Sequence, residues 1–361
     1  MPDMNQIMSI VTSLVIPVAV LLVFILVNTV YLQYIERKVL GHMQARLGPM
    51  RAGWHGLLQP IADTLKLMLK EDIIPAKADK WVFIVAPFLT LIMAFGAMVV
   101  IPFGPNTKFY GLISKEVPLA VSNLNIGVLY ILAFASVGTY GVIMAGWASN
   151  NKYSLMGGFR SAAQMISYEI PMAFAIITVV LMAGSLNLSD IVNAQSQRWN
   201  IIALPVGPVA FFLYLIAGVA ETNRVPFDLP EAESELVAGF FTEYSGIRYA
   251  MFFMAEYMNM MVVSLLVSIM FLGGWLPVQI LPQTLGHLPH IAWINDKLAM
   301  LPPTLWLLAK LYFFLFIYIW LRATLPRYRY DQLMTLSWKI LLPLSLGTLL
   351  VAACMKQVGW L

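Results

Sequence analysis

Carboxylates crowd one short stretch of this chain, ETNRVPFDLPEAESELVAGFFTE, which runs from Glu221 to Glu243. Six of the eighteen acids lie in it, namely Glu221, Asp228, Glu231, Glu233, Glu235 and Glu243, with Arg224 among them. The stretch directly follows a run apolar enough to cross a membrane. Acids are costly near hydrocarbon, so a group of them in such a place points to protons, ions or charged ligands. Single charges also interrupt apolar runs elsewhere: Glu169 in SAAQMISYEIPMAFAIITVV, Glu256 in MFFMAEYMNMM, and Lys310 in a later run. An ionisable residue within a span is a functional residue by default.

Each of these has a plainer reading. Asp228-x-x-Glu231 with Pro230 between is a helix-start signature, with acids on the positive end of the helix dipole. Capping accounts for two acids and leaves Glu233 and Glu235 unexplained. At an effective dielectric of ~20, two like charges 4 Å apart repel by about 4 kcal/mol. The loop therefore calls for partial protonation or for cations from elsewhere, with Arg37, Arg46 and Arg51 as candidates, and such a cluster would respond to a nearby change of charge. Glu169 is either a proton carrier or an acid bonded to a neighbouring helix. Pro171 follows it and withholds the N–H that would bond the Ser167 carbonyl, which opens the helix locally. Glu256 has only Arg248 at helical spacing. Should the spans bearing Glu169, Glu221 and Glu256 pack together, the three acids form a ladder entering the membrane. Lys310 either pairs with one of them or snorkels toward an interface. His287 and His290 sit in a proline-rich loop and read as exposed polar residues rather than metal ligands.

The elements that must position these residues follow from composition. Of 361 residues, 60% are hydrophobic and 11% charged, with a mean hydropathy of +0.79; soluble domains carry roughly 25% charged residues. The runs are apolar throughout rather than alternating, which predicts an all-α polytopic membrane protein and not a β-barrel. A single cysteine, Cys354, excludes a disulfide framework and cysteine-ligated clusters. The basic balance reflects residues next to the spans, so nucleic acid is not an expected partner. No Walker or dinucleotide motif is present, and no cleavable signal peptide is expected. Windows near the ~20 residues a bilayer needs predict eight spans: Ile7–Tyr31, Trp81–Ile101, Ile126–Ala148, Ala162–Met182, Ile201–Ala220, Ala250–Leu272, Thr304–Trp320 and Trp338–Met355. Pro302 and Pro303 start the seventh.

Connections after the odd spans hold sixteen lysines and arginines, counting Lys339 at the edge of the last span, against five for the other connections and ends. Both termini are therefore expected outside, with cytoplasmic loops at about 32–80, 149–161, 221–249 and 321–337. In the first of these, Leu57, Leu58, Ile61, Leu65, Met68 and Leu69 form a helical stripe opposed by polar residues, which predicts an amphipathic helix lying in the interface. Residues 1–361 read as a single integral membrane domain without internal repeats.

Four long segments, IERKVLGHMQARLGPMRAGWHGLLQPIADTLKLMLKED, WASNNKYSLMGGFRSAAQMISYEIP, ETNRVPFDLPEAESELVAGFFTEYSG and LRATLPRYRYDQLMTLSWK, resemble the H subunit of the proton-pumping NADH–quinone oxidoreductase, respiratory complex I. The resemblance covers the chain from the first span to the last. It implies a bacterial plasma-membrane subunit that joins a peripheral electron-transfer arm to a membrane arm and helps form the chamber where quinone is reduced. Quinone would be the substrate. NADH, FMN and iron–sulfur clusters would belong to partner subunits, and no redox centre to this chain. Carried onto this sequence, Glu36, Arg37, Arg46, Asp63, Arg224, Asp228, Glu231, Glu233 and Glu235 would line or border the chamber. Glu169, Glu221 and Glu256 would form the proton path, and the amphipathic helix would border the entrance from lipid. The alternative is a membrane anchor of an energy-converting hydrogenase or formate hydrogenlyase. An autonomous transporter would call for inverted repeats.

Overall fold

The computed structural model describes residues 15–105, 120–228, 237–277 and 301–360, and all regular structure within them is helical. Glu231, Glu233, Glu235, His287 and His290 lie outside the described residues, as does the helix start expected after Asp228. The helices are α1 (Ile16–Met43), α2 (Gln59–Leu69), α3 (Lys80–Val99), α4 (Gly127–Ala148), α5 (Lys152–Ala183), α6 (Leu188–Ala194), α7 (Val206–Glu221), α8 (Gly246–Phe271), α9 (Pro303–Thr324), α10 (Tyr330–Thr335) and α11 (Leu342–Gln357). A π-helical stretch, Leu336–Leu341, joins the last two into one run.

Among the described residues seven stretches are long and apolar enough to cross a membrane: α1, α3, α4, α5, α8, α9 and the run Tyr330–Gln357. The fifth expected span is α7, with 16 residues. At 1.5 Å per residue it is about 24 Å long, short of the ~30 Å hydrocarbon core. Helix ends also run past the charge-free windows. α1 continues to Met43 beyond Tyr31, and α5 begins at Lys152 rather than Ala162. Charge marks where hydrocarbon ends, whereas a helix continues while its backbone bonds are met, so the two boundaries need not agree. Pro303 does open α9.

α8 is the central post. It packs against α1, α2, α3, α5, α6, α7 and α9, and 67% of its most apolar window is buried. α3, α4 and α5 pack in succession beside it, and α5 in turn meets α7 and α11. Close approach near the charged end depends on Gly157 of α5, where an added Cβ would lie 2.6 Å from the Cα of Gly239.

Two prolines inside helices each free a carbonyl, and each carbonyl is taken up from outside. Pro171 leaves the Ser167 carbonyl, which accepts from Ser337 Oγ at 2.7 Å, while Trp338 Nε1 donates to Ser167 Oγ at 3.2 Å. Pro87 in α3 leaves the Phe83 carbonyl, which accepts from Tyr244 Oη at 3.2 Å. The Tyr244 ring stacks on Phe83 with centroids 4.0 Å apart. In a membrane an unsatisfied backbone group costs several kcal/mol, so these contacts fix the neighbours of both helices.

Lys310 takes neither of its expected roles. It is 7% exposed and forms no ion pair among the described residues. Its Nζ donates to the carbonyls of Leu272, Gly274 and Leu276 at 2.7, 2.7 and 2.8 Å and lies 4.7 Å from the Trp199 ring centroid. Gln195 Nε2 donates to Ile269 O and Asn200 Nδ2 to Met270 O, both at 2.8 Å. The last carbonyls of a helix have no partner within it and carry the negative end of its dipole. A buried cation and two amides here close the end of α8.

Candidate functional site

A knot of buried charge forms where four elements meet. Glu36 of α1, 3% exposed, receives Arg224 Nη1 at 3.0 Å, Tyr257 Oη at 2.8 Å, and Arg322 of α9. Arg224, 6% exposed, also pairs through Nε with Glu256 of α8, and its guanidinium stands 4.6 Å from the Tyr257 ring centroid. Two carboxylates thus face two guanidiniums, so the knot is formally neutral. Removing one member of such a buried pair costs roughly 3–5 kcal/mol, because the other charge remains without solvent or partner.

Arg224 is held by the turn that carries it. Gln164 Nε2 of α5 donates to Ala220 O at 2.7 Å and to Phe227 O at 2.8 Å, and so clamps both ends of the turn. Asn223, at φ 52°, donates to Ser161 Oγ at 3.0 Å. From the other side, Tyr328 N donates to Pro226 O at 3.0 Å, and Arg327 pairs with Asp228 at 3.1 Å. A guanidinium fixed this way can be aimed at two carboxylates at once.

Beside the knot, α1, α2 and α8 enclose a cavity of about 890 Å³. Its charged lining includes Glu36, Arg37, Arg46, Asp63 and Arg322, and Tyr257 and Phe253 also face it. Arg37 pairs with Asp63 at 2.5 Å, and Gln59 Nε2 donates to the same carboxylate at 3.1 Å, so α2 is fastened to α1 along the cavity wall. At the far end of α2, Ser245 Oγ accepts from Ile73 N at 3.3 Å and donates to Glu71 O at 3.2 Å. Arg248 of α8 pairs with Asp72 at 3.0 Å. On the opposite side of α2, Leu58, Ile61, Leu65, Met68 and Leu69 are exposed.

Behind the knot is a second cavity of about 40 Å³, lined by Glu221 and Glu256 together with Thr90, Thr222, Asn223 and Asn259. That is room for about one water. Glu221 Oε2 is buried without a hydrogen-bond partner among the described residues. Glu169 lies in hydrogen-bond contact with Ser136 Oγ.

Of the expected chamber residues, Glu36, Arg37, Arg46 and Asp63 line the large cavity. Arg224 does not line it but meets Glu36 and Tyr257, which do, and Asp228 faces Arg327 instead. Glu221 and Glu256 share the small cavity, and Glu169 is a lining residue of neither cavity. Of the acidic loop, Asp228 meets Arg327 rather than Arg37, Arg46 or Arg51, while Glu231, Glu233 and Glu235 lie outside the described residues. Arg37 is engaged by Asp63, whereas Arg224, Arg322 and Arg327 do the pairing. Arg322, Arg327, Tyr257, Gln164 and Ser136 carry no mark in the sequence beyond position. Arg322 falls where a span ends, and Tyr257 is next to Glu256.

The comparisons with known proteins bear on this arrangement as a whole. A family model described as NADH dehydrogenase matches residues 16–353. The first of the numbered H subunits of NADH-quinone oxidoreductase in Geobacter sulfurreducens is 50% identical over 351 residues, covering 94% of this chain and 93% of that protein. The second numbered H subunit of the same enzyme in Rhizobium meliloti is 48% identical over 339 residues, 94% and 96% of the two chains. The corresponding H subunit of Thermomicrobium roseum is 49% identical over 344 residues, 91% and 93%.

Proposed function

Because the chain belongs to the NADH dehydrogenase family as an H subunit of NADH–quinone oxidoreductase, we propose that its 890 Å³ cavity receives quinone and that the knot behind it converts quinone chemistry into proton movement. It is a multi-pass membrane subunit of an oxidoreductase complex. We read it further as a single domain with eight spans, α7 being the short one, in a bacterial plasma membrane. On this reading both ends lie outside, and the loops at about 32–80, 149–161, 221–249 and 321–337 are cytoplasmic. The exposed side of α2 then lies against lipid beside the cavity mouth. NADH, FMN and iron–sulfur clusters belong to the partner subunits, and electrons enter from them.

The observation that carries the reading is the position of Arg224, which joins a carboxylate of the cavity wall to one of the inner pocket. Reduction of quinone brings negative charge, and then protons, to the wall. Negative charge beside Glu36 competes for Arg224 and Arg322. A guanidinium drawn toward the cavity leaves Glu256 with less compensation, and Glu256 takes up a proton through the pocket it shares with Glu221. Glu169 is the next acceptor. When ionised it accepts from Ser136 Oγ; when protonated it donates to that oxygen, whose own proton turns to Leu132 O at 3.0 Å. Glu231, Glu233 and Glu235 are read, as in the sequence, as residues that line or border the chamber.

The test is Glu221→Gln in the assembled complex, with Glu233→Gln as its companion. Quinone reduction and proton pumping fall together, by ten-fold or more (about 1.4 kcal/mol or more), while NADH–ferricyanide activity is kept. Loss of ferricyanide activity with quinone reduction intact would exclude this chamber.

A further inference from the structure

At the end of the molecule that bears the basic loops, a cleft separate from both cavities opens where α3 begins, α4 ends and α5 begins. It holds about 480 Å³, and Lys77, Asp79, Val82, Trp147, Lys152 and Leu155 are among its lining residues. It shares no residue with the large cavity. The geometry points to a binding site for the phosphodiester headgroup of an anionic phospholipid.

Charge is the first support. Lys77 and Lys152 are exposed, and neither forms an ion pair among the described residues. Helices α3 and α5 both start at the cleft; Asn151 Oδ1 already accepts from Tyr153 N at 2.9 Å in α5, so the start of α3 is the one that adds its open positive end to the lysines. Asp79, at the start of α3, makes no capping bond to the first turn, which leaves backbone N–H groups for an incoming oxygen; its carboxylate sets one negative charge in the lining against the two lysines. The nearby amides are already engaged. Asn150 Nδ2 donates to Lys77 O at 3.2 Å, and Asn151 Nδ2 donates to Glu243 at 2.7 Å.

The second support is the boundary on which the cleft sits. Trp147 is 69% exposed and Trp81, one residue before Val82, is 80% exposed. Tryptophans left open at a span's end mark headgroup depth. Val82 and Leu155 give the cleft an apolar wall that a free inorganic anion would not use and the glycerol and first methylenes of a lipid would. Anionic lipid attracts basic groups next to spans in this way, and a cleft adds a fixed place.

The experiment uses the purified complex in vesicles of phosphatidylcholine containing increasing fractions of phosphatidylglycerol with a photoactivatable headgroup-proximal probe. In the wild-type complex the label maps to residues 77–82 and 147–155 and saturates with the phosphatidylglycerol fraction. The same probe on phosphatidylcholine labels them weakly, and millimolar inorganic phosphate does not displace it. Each lysine near the surface contributes roughly five-fold, so Lys77→Gln with Lys152→Gln moves half-saturation by about thirty-fold. Lys77→Arg with Lys152→Arg keeps it, and Lys339→Gln, which removes a charge elsewhere, leaves it unchanged. Equal labelling from the two lipids, displacement by phosphate, cross-linking of the cleft to a partner subunit instead of lipid, or indifference to the double glutamine variant would each overturn the site. Quinone reduction is measured alongside. Its failure under Glu221→Gln concerns the cavity reading only, because the lipid site is read in wild-type protein without turnover.

Discussion

Arg224 answers to two acids with one guanidinium, and this sets what its replacement does. In Arg224→Met, Glu36 retains Arg322 and Tyr257, but the Arg224–Glu256 pair is lost. Breaking a buried pair costs roughly 3–5 kcal/mol, more than half the stability of a marginal domain. The expected outcome is a lower yield of assembled complex, and in the fraction that assembles, quinone reduction below a tenth of wild type with NADH–ferricyanide activity kept. Activity per assembled complex, measured against subunit content, checks it. At this scale the acids were legible and their partners were not. An acid announces itself by lying in an apolar run, so Glu169 and Glu256 could be picked out from the chain alone. The cations of Glu36 lie 188 and 286 residues away. Nothing in the spacing of Arg224 or Arg322 says which carboxylate each will meet.

Helices in this protein are set by where their backbone groups find partners. The Ser167 carbonyl shows it: Pro171 frees it, and Ser337 in the π-helical stretch before α11 takes it up. Ser337→Ala leaves that carbonyl buried and unpaired, at a cost of about 1–3 kcal/mol. A lower thermal midpoint of the purified complex is expected, with quinone affinity unchanged because Ser337 does not line the cavity. An unchanged midpoint would mean the carbonyl has another partner. The opened carbonyl could be foreseen from the position of Pro171, but the residue that closes it could not, since Ser337 lies 170 residues on. Seven of the eight expected windows fall on described helices long and apolar enough to cross a membrane, and several of those helices run past the windows. The polar first turns of α5 keep their helical bonds outside the charge-free window, and α7 stops at 16 residues because the chain turns at Thr222–Asp228.

For the molecule as a whole, described parts of the connections meet one another: Asn150 Nδ2 donates to Lys77 O, Asn151 Nδ2 to Glu243, and Tyr328 N to Pro226 O. Moving one charge against 100 mV takes about 2.3 kcal/mol, and a swing of roughly two pKa units corresponds to about 2.7 kcal/mol. Perturbing one acid by that much suffices for one proton at that potential. Glu169→Gln tests whether the path runs through α5: quinone reduction persists in part while the ratio of protons moved to electrons transferred falls. If rate and ratio both stay at wild-type values in sealed vesicles, Glu169 is a structural acid bonded to Ser136. The opposite end of α8 matters to this as well. Gln195 and Asn200 fasten its final turn and Lys310 the residues just past it, while Glu256 sits ten residues from the helix start at Gly246. A rod pinned at its far tip resists sliding along its own length. Strain set up around Glu256 is then handed toward the near tip, where Ser245 and Arg248 couple it to α2.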